Sequence, residues 1–196
     1  MEQSSSPMEE TFSNGHCLTT PSIQLPTLST IRTLSSTCCI ALSCPLILAL
    51  RRTFTSSGDG QILSVGSGSG LLEAYMVADG MNVIGIDLES TNKYLPPERF
   101  VGIRGTWDMG PGVLLTSTRK LLFAYPKPVD LVLQRYIKKM AKLEMIVWIG
   151  PATDWPEVVS ALDQVASWSN ESKEIFDVTE PYERFMVMRC ERRAGD

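Results

Sequence analysis

The sequence predicts an α/β fold: a doubly wound, mostly parallel sheet that ends in an antiparallel C-terminal hairpin. Three observations predict it. Beyond residue 56, short apolar runs alternate with amphipathic segments, the pattern of strand-helix-strand units. The first of these runs leads into Val65-Gly66-Ser67-Gly68-Ser69-Gly70, a glycine-rich turn between a strand and a helix. The last two runs, Ile175-Phe176-Asp177-Val178 and Phe185 to Cys190, flank a turn at Glu180-Pro181 and read as a pair of antiparallel strands.

Taken in order, residues 1–20 mix Ser, Thr, Pro, Glu and Gly with few large apolar side chains. Ordering them would cost more entropy than burial returns, so a disordered tail is expected. Residues 21–55 turn apolar, and one or two helices are expected there. Pro26-Thr27-Leu28 offers a start, and the run Cys38 to Leu50 reads as a buried helix, too short for a bilayer, which needs ~20 residues. Residues 56–196 form the main domain. Its first strand is Gln61 to Val65, followed by a helix from about Gly70 to Ala78 that Asp79-Gly80 ends. Asn82 to Ile86 is the second strand, and Phe100 to Arg104 the third, after a turn at Pro96-Pro97.

The stretch Leu121 to Leu133 holds two apolar runs around Pro126 and Pro128. Leu121 to Tyr125 is strand-like, whereas Val129, Val132, Leu133, Tyr136 and Met140 recur at helical spacing. A fourth strand is therefore placed before Pro126 and a helix from Pro128, a residue suited to a first helical turn. Met145 to Ile149 is the fifth strand. Asp154 is expected to cap a helix from about Pro156 to Trp168, with Val158, Leu162 and Val165 on one face.

Composition narrows the function. The chain of 196 residues carries a formal charge of −4, which disfavours nucleic acid as a partner because phosphate backbones are held by clustered Lys and Arg. Its 5 cysteines form no C-x-x-C pair and read as reduced thiols in a cytoplasmic protein. One histidine, His16, leaves no material for a histidine-based triad, and no metal centre is expected. Stable membrane insertion is not expected either.

The glycine turn lets the backbone approach a ligand without side-chain interference, and free amides at the following helix start favour an anionic group. Asp87 closes the second strand beside that turn, where a carboxylate can accept both ribose hydroxyls of an adenosine ligand. A helix cap or solvated turn is the plainer role for it. Dinucleotide turns usually read G-x-G-x-x-G/A with a small third residue, and here Leu71 stands in that position.

Gly66-x-Gly68-x-Gly70 instead resembles the first motif of the class I S-adenosylmethionine-dependent methyltransferases, and Val83 to Leu88 resembles their second. The resemblance covers about Gln61 to Arg192 in architecture and Ile62 to Leu88 in motif. It implies a Rossmann-like fold with the C-terminal hairpin that sets those enzymes apart. It also implies S-adenosyl-L-methionine as cofactor, held by Gly66, Ser67, Gly68, Ser69, Gly70, Asp87 and Leu88. Members typically carry an acidic residue two positions before the first motif glycine; here that residue is Ser64.

Methyl transfer draws much of its acceleration from alignment, although an oxygen or nitrogen acceptor can need a general base. Asp108, after strand three, and Tyr125, after strand four, are the candidate catalytic residues; a turn carboxylate and a packed aromatic are their plainer roles. Tyr125-Pro126-Lys127-Pro128 lacks the amide or carboxylate of the Asn/Asp-Pro-Pro-aromatic motif found in amino-methylating relatives. Trp107 offers a face for an adenine or substrate ring, with core packing as the alternative. The leading expectation is a methyltransferase acting on a small molecule. A methyltransferase-like binding or scaffold protein is the alternative, and a nicotinamide-dependent oxidoreductase, opposed by Leu71, a third.

Overall fold

The computed structural model describes residues 24–58, 60–164 and 172–189. The strands are β1 (Thr33–Ser35), β2 (Cys38–Leu42), β3 (Ile62–Val65), β4 (Val83–Leu88), β5 (Phe100–Ile103), β6 (Lys120–Ala124), β7 (Met145–Pro151), β8 (Ser172–Ile175) and β9 (Glu183–Arg189). The helices are α1 (Cys44–Thr55), α2 (Leu71–Ala78), α3 (Gly112–Ser117), α4 (Val129–Lys139) and α5 (Trp155–Asp163). β1 and β2 pair as a separate antiparallel ribbon. The other strands form a 7-stranded sheet in the order β5-β4-β3-β6-β7-β9-β8. Neighbours from β5 to β7 are parallel, while β9 runs antiparallel to both β7 and β8. The expected mostly parallel, doubly wound sheet with an antiparallel end is thus present.

The pleat divides the core. Leu63, Val65, Leu121, Phe123, Ile146 and Trp148 turn to the face that carries α4 and α5, and Ile62, Leu122, Met145, Val147 and Ile149 to the face that carries α1 and α2. Burial on both faces explains why these strands read as continuous apolar runs. The chain enters the sheet at β3, winds outward through β4 and β5, then returns to β6 on the other side of β3. That reversal opens a crevice beyond the carboxyl ends of β3 and β6, the switch point where ligands bind in such sheets.

Several expectations need correction. Residues 21–55 are not helical throughout: no helix starts at Pro26, and the run Cys38 to Leu50 divides into β2 and α1. Ser43 is the reason. Its extended backbone breaks the run, and its side chain accepts from the Leu46 amide at 3.3 Å, capping α1 ahead of its first-turn proline, Pro45. Helix α3 is an addition to the expected elements. Asp154 occupies the N-cap position of α5 without a capping side-chain bond, because a 3-10 turn over Ala152–Asp154 already places it in helical backbone and its carboxylate accepts from the Thr153 hydroxyl. α5 ends at Asp163; Val165 and Trp168, like the expected tail and the end of the last strand at Cys190, lie outside the described residues. Among the described residues, no helix is long and apolar enough to cross a membrane.

Candidate functional site

A cavity of about 720 Å³ lies in the crevice at the switch point. Val65, Gly66 and Gly68 form one wall, Ile86, Asp87 and Leu88 the next, the segment Ile103 to Thr106 with Asp108 a third, and Ala124 to Lys127 a fourth. Val132 and Tyr136 reach it from α4, and Cys39 from the ribbon.

The strand register brings the glycine turn and Asp87 together: Val65 pairs with Ile86, so Gly66 stands level with Asp87. Asp87 Oδ2 accepts from the Gly68 amide at 2.6 Å, and its Oδ1 from the Leu88 amide at 2.6 Å. A carboxylate has room for about four such bonds, so each oxygen keeps a further lone pair for a ligand. The turn itself differs from expectation in one respect. The amides of Gly66 and Ser67 both donate to the Ile86 carbonyl, that of Gly68 to Asp87 and that of Gly70 to the Ser67 carbonyl. These amides are committed within the protein and do not form an anion cradle. What the turn offers is space. Gly66 and Gly68 have positive φ, 78° and 56°, and a Cβ on either would meet nothing within 4 Å.

The other residues expected at the cofactor fall outside the cavity lining. The Ser67 hydroxyl is buried without a partner and lies against Gly85, where a Cβ would meet it at 2.7 Å. The Ser69 hydroxyl donates to the Thr37 carbonyl at 2.7 Å, which seats the ribbon on the glycine turn. Gly70 packs against Asn92 and Leu95 at the start of α2. Trp107 is 62% exposed, with the Arg104 guanidinium 5.5 Å from its ring centroid, so it neither lines the cavity nor packs in the core.

The two candidate catalytic residues line the cavity with their polar atoms already engaged. Asp108 Oδ1 accepts from the Gly110 amide at 3.0 Å and Oδ2 from the Arg104 amide at 3.3 Å. Those amides, aided by the Arg104 guanidinium, hold its carboxyl below the usual aspartate range, the reverse of what a general base near neutrality needs. Tyr125 has φ 54°, a left-handed backbone unusual for a bulky side chain. Its hydroxyl donates to Glu183 on β9. Burial, followed by that carboxylate, raises the phenol well above its ordinary value, so its proton stays in place.

Sequence reasoning missed Cys39, Arg104, Lys127 and Tyr136 on the cavity wall. It also missed Glu73 on α2, just behind the glycine turn. Glu73 is 1% exposed, Oε1 accepts from the Ser64 hydroxyl at 2.6 Å, and Oε2 has no partner. Burial pushes its carboxyl up to about 7, against the smaller effect of Ser64. The signal was there in Leu71-Leu72-Glu73-Ala74-Tyr75-Met76, one carboxylate within an otherwise apolar helix stretch. The carboxylate absent at Ser64 thus approaches the same strand end from α2, hydrogen-bonded to the serine that stands there.

No family model matches the sequence, and no curated protein matches it. Solved structures do resemble it. A TehB-like S-adenosylmethionine-dependent methyltransferase from Corynebacterium glutamicum superposes with a TM-score of 0.54 at 16% identity, over 75% of this chain and 88% of that one. Precorrin-6y C5,15-methyltransferase from Geobacter metallireducens gives 0.55 at 11% identity, over 86% of this chain and 100% of the other. A ribosomal protein methylase from Lactobacillus delbrueckii gives 0.50 at 13%, over 75% and 77%. At these identities the likeness is one of fold: the chain has the Rossmann-like fold of the class I methyltransferases.

Proposed function

We propose that the chain binds S-adenosyl-L-methionine in this cavity and transfers its methyl group to a small-molecule acceptor. The observation that carries the reading is the convergence of the glycine turn, the Asp87 carboxylate and the segment after β5 on one cavity of about 720 Å³, a volume within the ~300–1,000 Å³ typical of small-ligand sites. The residues present fit such a cofactor. Gly66 and Gly68 leave open space where side chains would stand, Asp87 keeps lone pairs for ribose hydroxyls, and Val65, Ile86, Leu88 and Ile103 supply apolar surface for a base.

The bound cofactor supplies a methyl carbon activated by a positively charged sulfur. The work of this chain is alignment: Asp87 fixes the ribose, and the segment after β6, tied to β9 through Tyr125 and Glu183, bounds the space for the acceptor. Tyr125 holds its proton and the Asp108 carboxyl is lowered, so neither is tuned as a general base, and an acceptor that presents its own lone pair suits the site. The same fold serves a precorrin and a ribosomal protein in the neighbours above. The small acceptor is favoured here by the ribbon, which brings Cys39 to the cavity wall and rests on the glycine turn through Ser69 and Thr37. The free thiols of Cys38, Cys39 and Cys44 accord with a reducing, cytoplasmic setting.

A second reading, cofactor binding without turnover, is favoured by the engaged state of Tyr125 and Asp108. Incubation with methyl-labelled cofactor and pools of small nucleophiles separates the two. Label in an acceptor together with S-adenosylhomocysteine supports the transferase; saturable cofactor binding with no label transferred in any pool supports the binding protein.

A further inference from the structure

Tyr136 lines the cavity from α4, one turn beyond Val132. It is 3% exposed, and its ring stands edge-on to Phe123, with centroids 6.2 Å apart and an interplanar angle of 79°. Its hydroxyl is buried and has no hydrogen-bond partner in the protein. Buried polar groups are nearly always paired, so an orphan in a native fold calls for a reason. Packing supplies none: Leu133, Ile137 and Met140 around it on α4 are buried and apolar, and phenylalanine would fill the same space. Burial raises the phenol, and the Asp108 and Asp87 carboxylates are near enough to raise it further. The group is therefore a protonated donor without an acceptor, on a side chain that lines the same cavity as Asp87 and Asp108.

On the reading above, Asp87 takes the ribose, and the adjoining space between Asp87 and the segment after β5 takes the base. An adenine ring presents acceptor nitrogens there, and a fixed O–H donor matches one of them. We propose that the Tyr136 hydroxyl donates a hydrogen bond to a ring nitrogen of the cofactor's adenine and so makes α4 the element that selects the base. The inference rests on S-adenosylmethionine as the ligand. It assigns a specificity role to a residue whose spacing reads as core.

The test is calorimetric titration of the full chain and Tyr136→Phe with S-adenosylhomocysteine and with its analogues carrying carbon in place of the adenine N1, N3 or N7. The variant is expected to bind S-adenosylhomocysteine about tenfold more weakly, the loss of one hydrogen bond. One analogue is expected to bind the unsubstituted chain weakly by a similar factor, yet lose nothing further on Tyr136→Phe. The thermal midpoint of the unliganded variant should match or exceed that of the unsubstituted chain, since an orphaned hydroxyl has been removed. A purely structural role would lower that midpoint and leave the analogue pattern unchanged. Equal affinity of the two proteins for S-adenosylhomocysteine, or equal penalties for every analogue in both, overturns the proposal. Absence of binding by the unsubstituted chain overturns the cofactor reading with it, and that failure appears in the first titration, before the variant is compared.

Discussion

Replacing Glu73 with glutamine should make the fold more stable at alkaline pH and leave it nearly unchanged in mild acid. Glu73 is fully buried, with one oxygen on the Ser64 hydroxyl and the other unpartnered, so folding favours its neutral form. A carboxyl whose pKa is raised by folding stabilises fully below its unfolded value, and this stability is lost as pH rises to the folded value. The shift from 4.5 to about 7 corresponds to about 3 kcal/mol lost across that window. Glutamine keeps an oxygen for Ser64 and cannot ionise. Urea unfolding of both proteins at intervals from about pH 5 to about pH 9 gives the comparison. At the acid end the two should agree within about 1 kcal/mol, and by about pH 8 the variant should lead by about 2–3 kcal/mol. Groups common to both proteins cancel in the difference. Stability curves that run parallel over the whole range would instead show that Glu73 carries no uncompensated buried charge.

Other outcomes follow from the same geometry. Asp87→Ala removes the acceptor of the Gly68 amide and, in the proposed binding mode, of the ribose, so calorimetry should record a loss of about 2–4 kcal/mol in affinity for S-adenosylhomocysteine. Tyr125→Phe leaves Glu183 with one donor fewer, and should lower stability by about 1–3 kcal/mol in urea unfolding without changing the shape of the pH profile of the proposed methyl transfer. Lys120 is 3% exposed and donates to the carbonyls of Phe54 and Gly58, tying the end of α1 to β6. Lys120→Met should therefore cost about 2–3 kcal/mol, read as a lowered urea midpoint.

The parts of the fold legible in the sequence are those where local pattern and tertiary role coincide. β3, β6 and β7 are buried on both faces, so their apolar runs needed no partner to be read, and the turn at Glu180-Pro181 marked the hairpin of β8 and β9. β8 is nevertheless Ser172–Ile175 and shares only Ile175 with the expected Ile175 to Val178. The run Cys38 to Leu50 was ambiguous because an apolar stretch suits a buried strand or helix equally, and only the Ser43 cap with Pro45 divides it. Helix α3 escaped notice because Gly112–Ser117 is under two turns long and sets its two leucines among Gly, Val, Thr and Ser, all weaker helix formers.

The site divides the same way. Gly66, Gly68 and Asp87 follow from strand ends that register brings level. Tyr136 reaches the cavity through the packing of α4 on the sheet, and Cys39 through the docking of the ribbon, neither of which sequence spacing encodes. Asp108 lies in the segment after β5, Tyr125 directly follows β6, and both line the cavity. The hydrogen bonds that engage them depend on Gly110, Arg104 and Glu183, whose positions only the folded chain defines.

Calorimetric titration of the full chain with S-adenosyl-L-methionine, repeated with Asp87→Ala, decides whether the cavity is a cofactor site. Saturable binding at one site per chain, strongly weakened in the variant, is expected. No saturable heat with the unsubstituted chain, or equal affinity in both proteins, would contradict it.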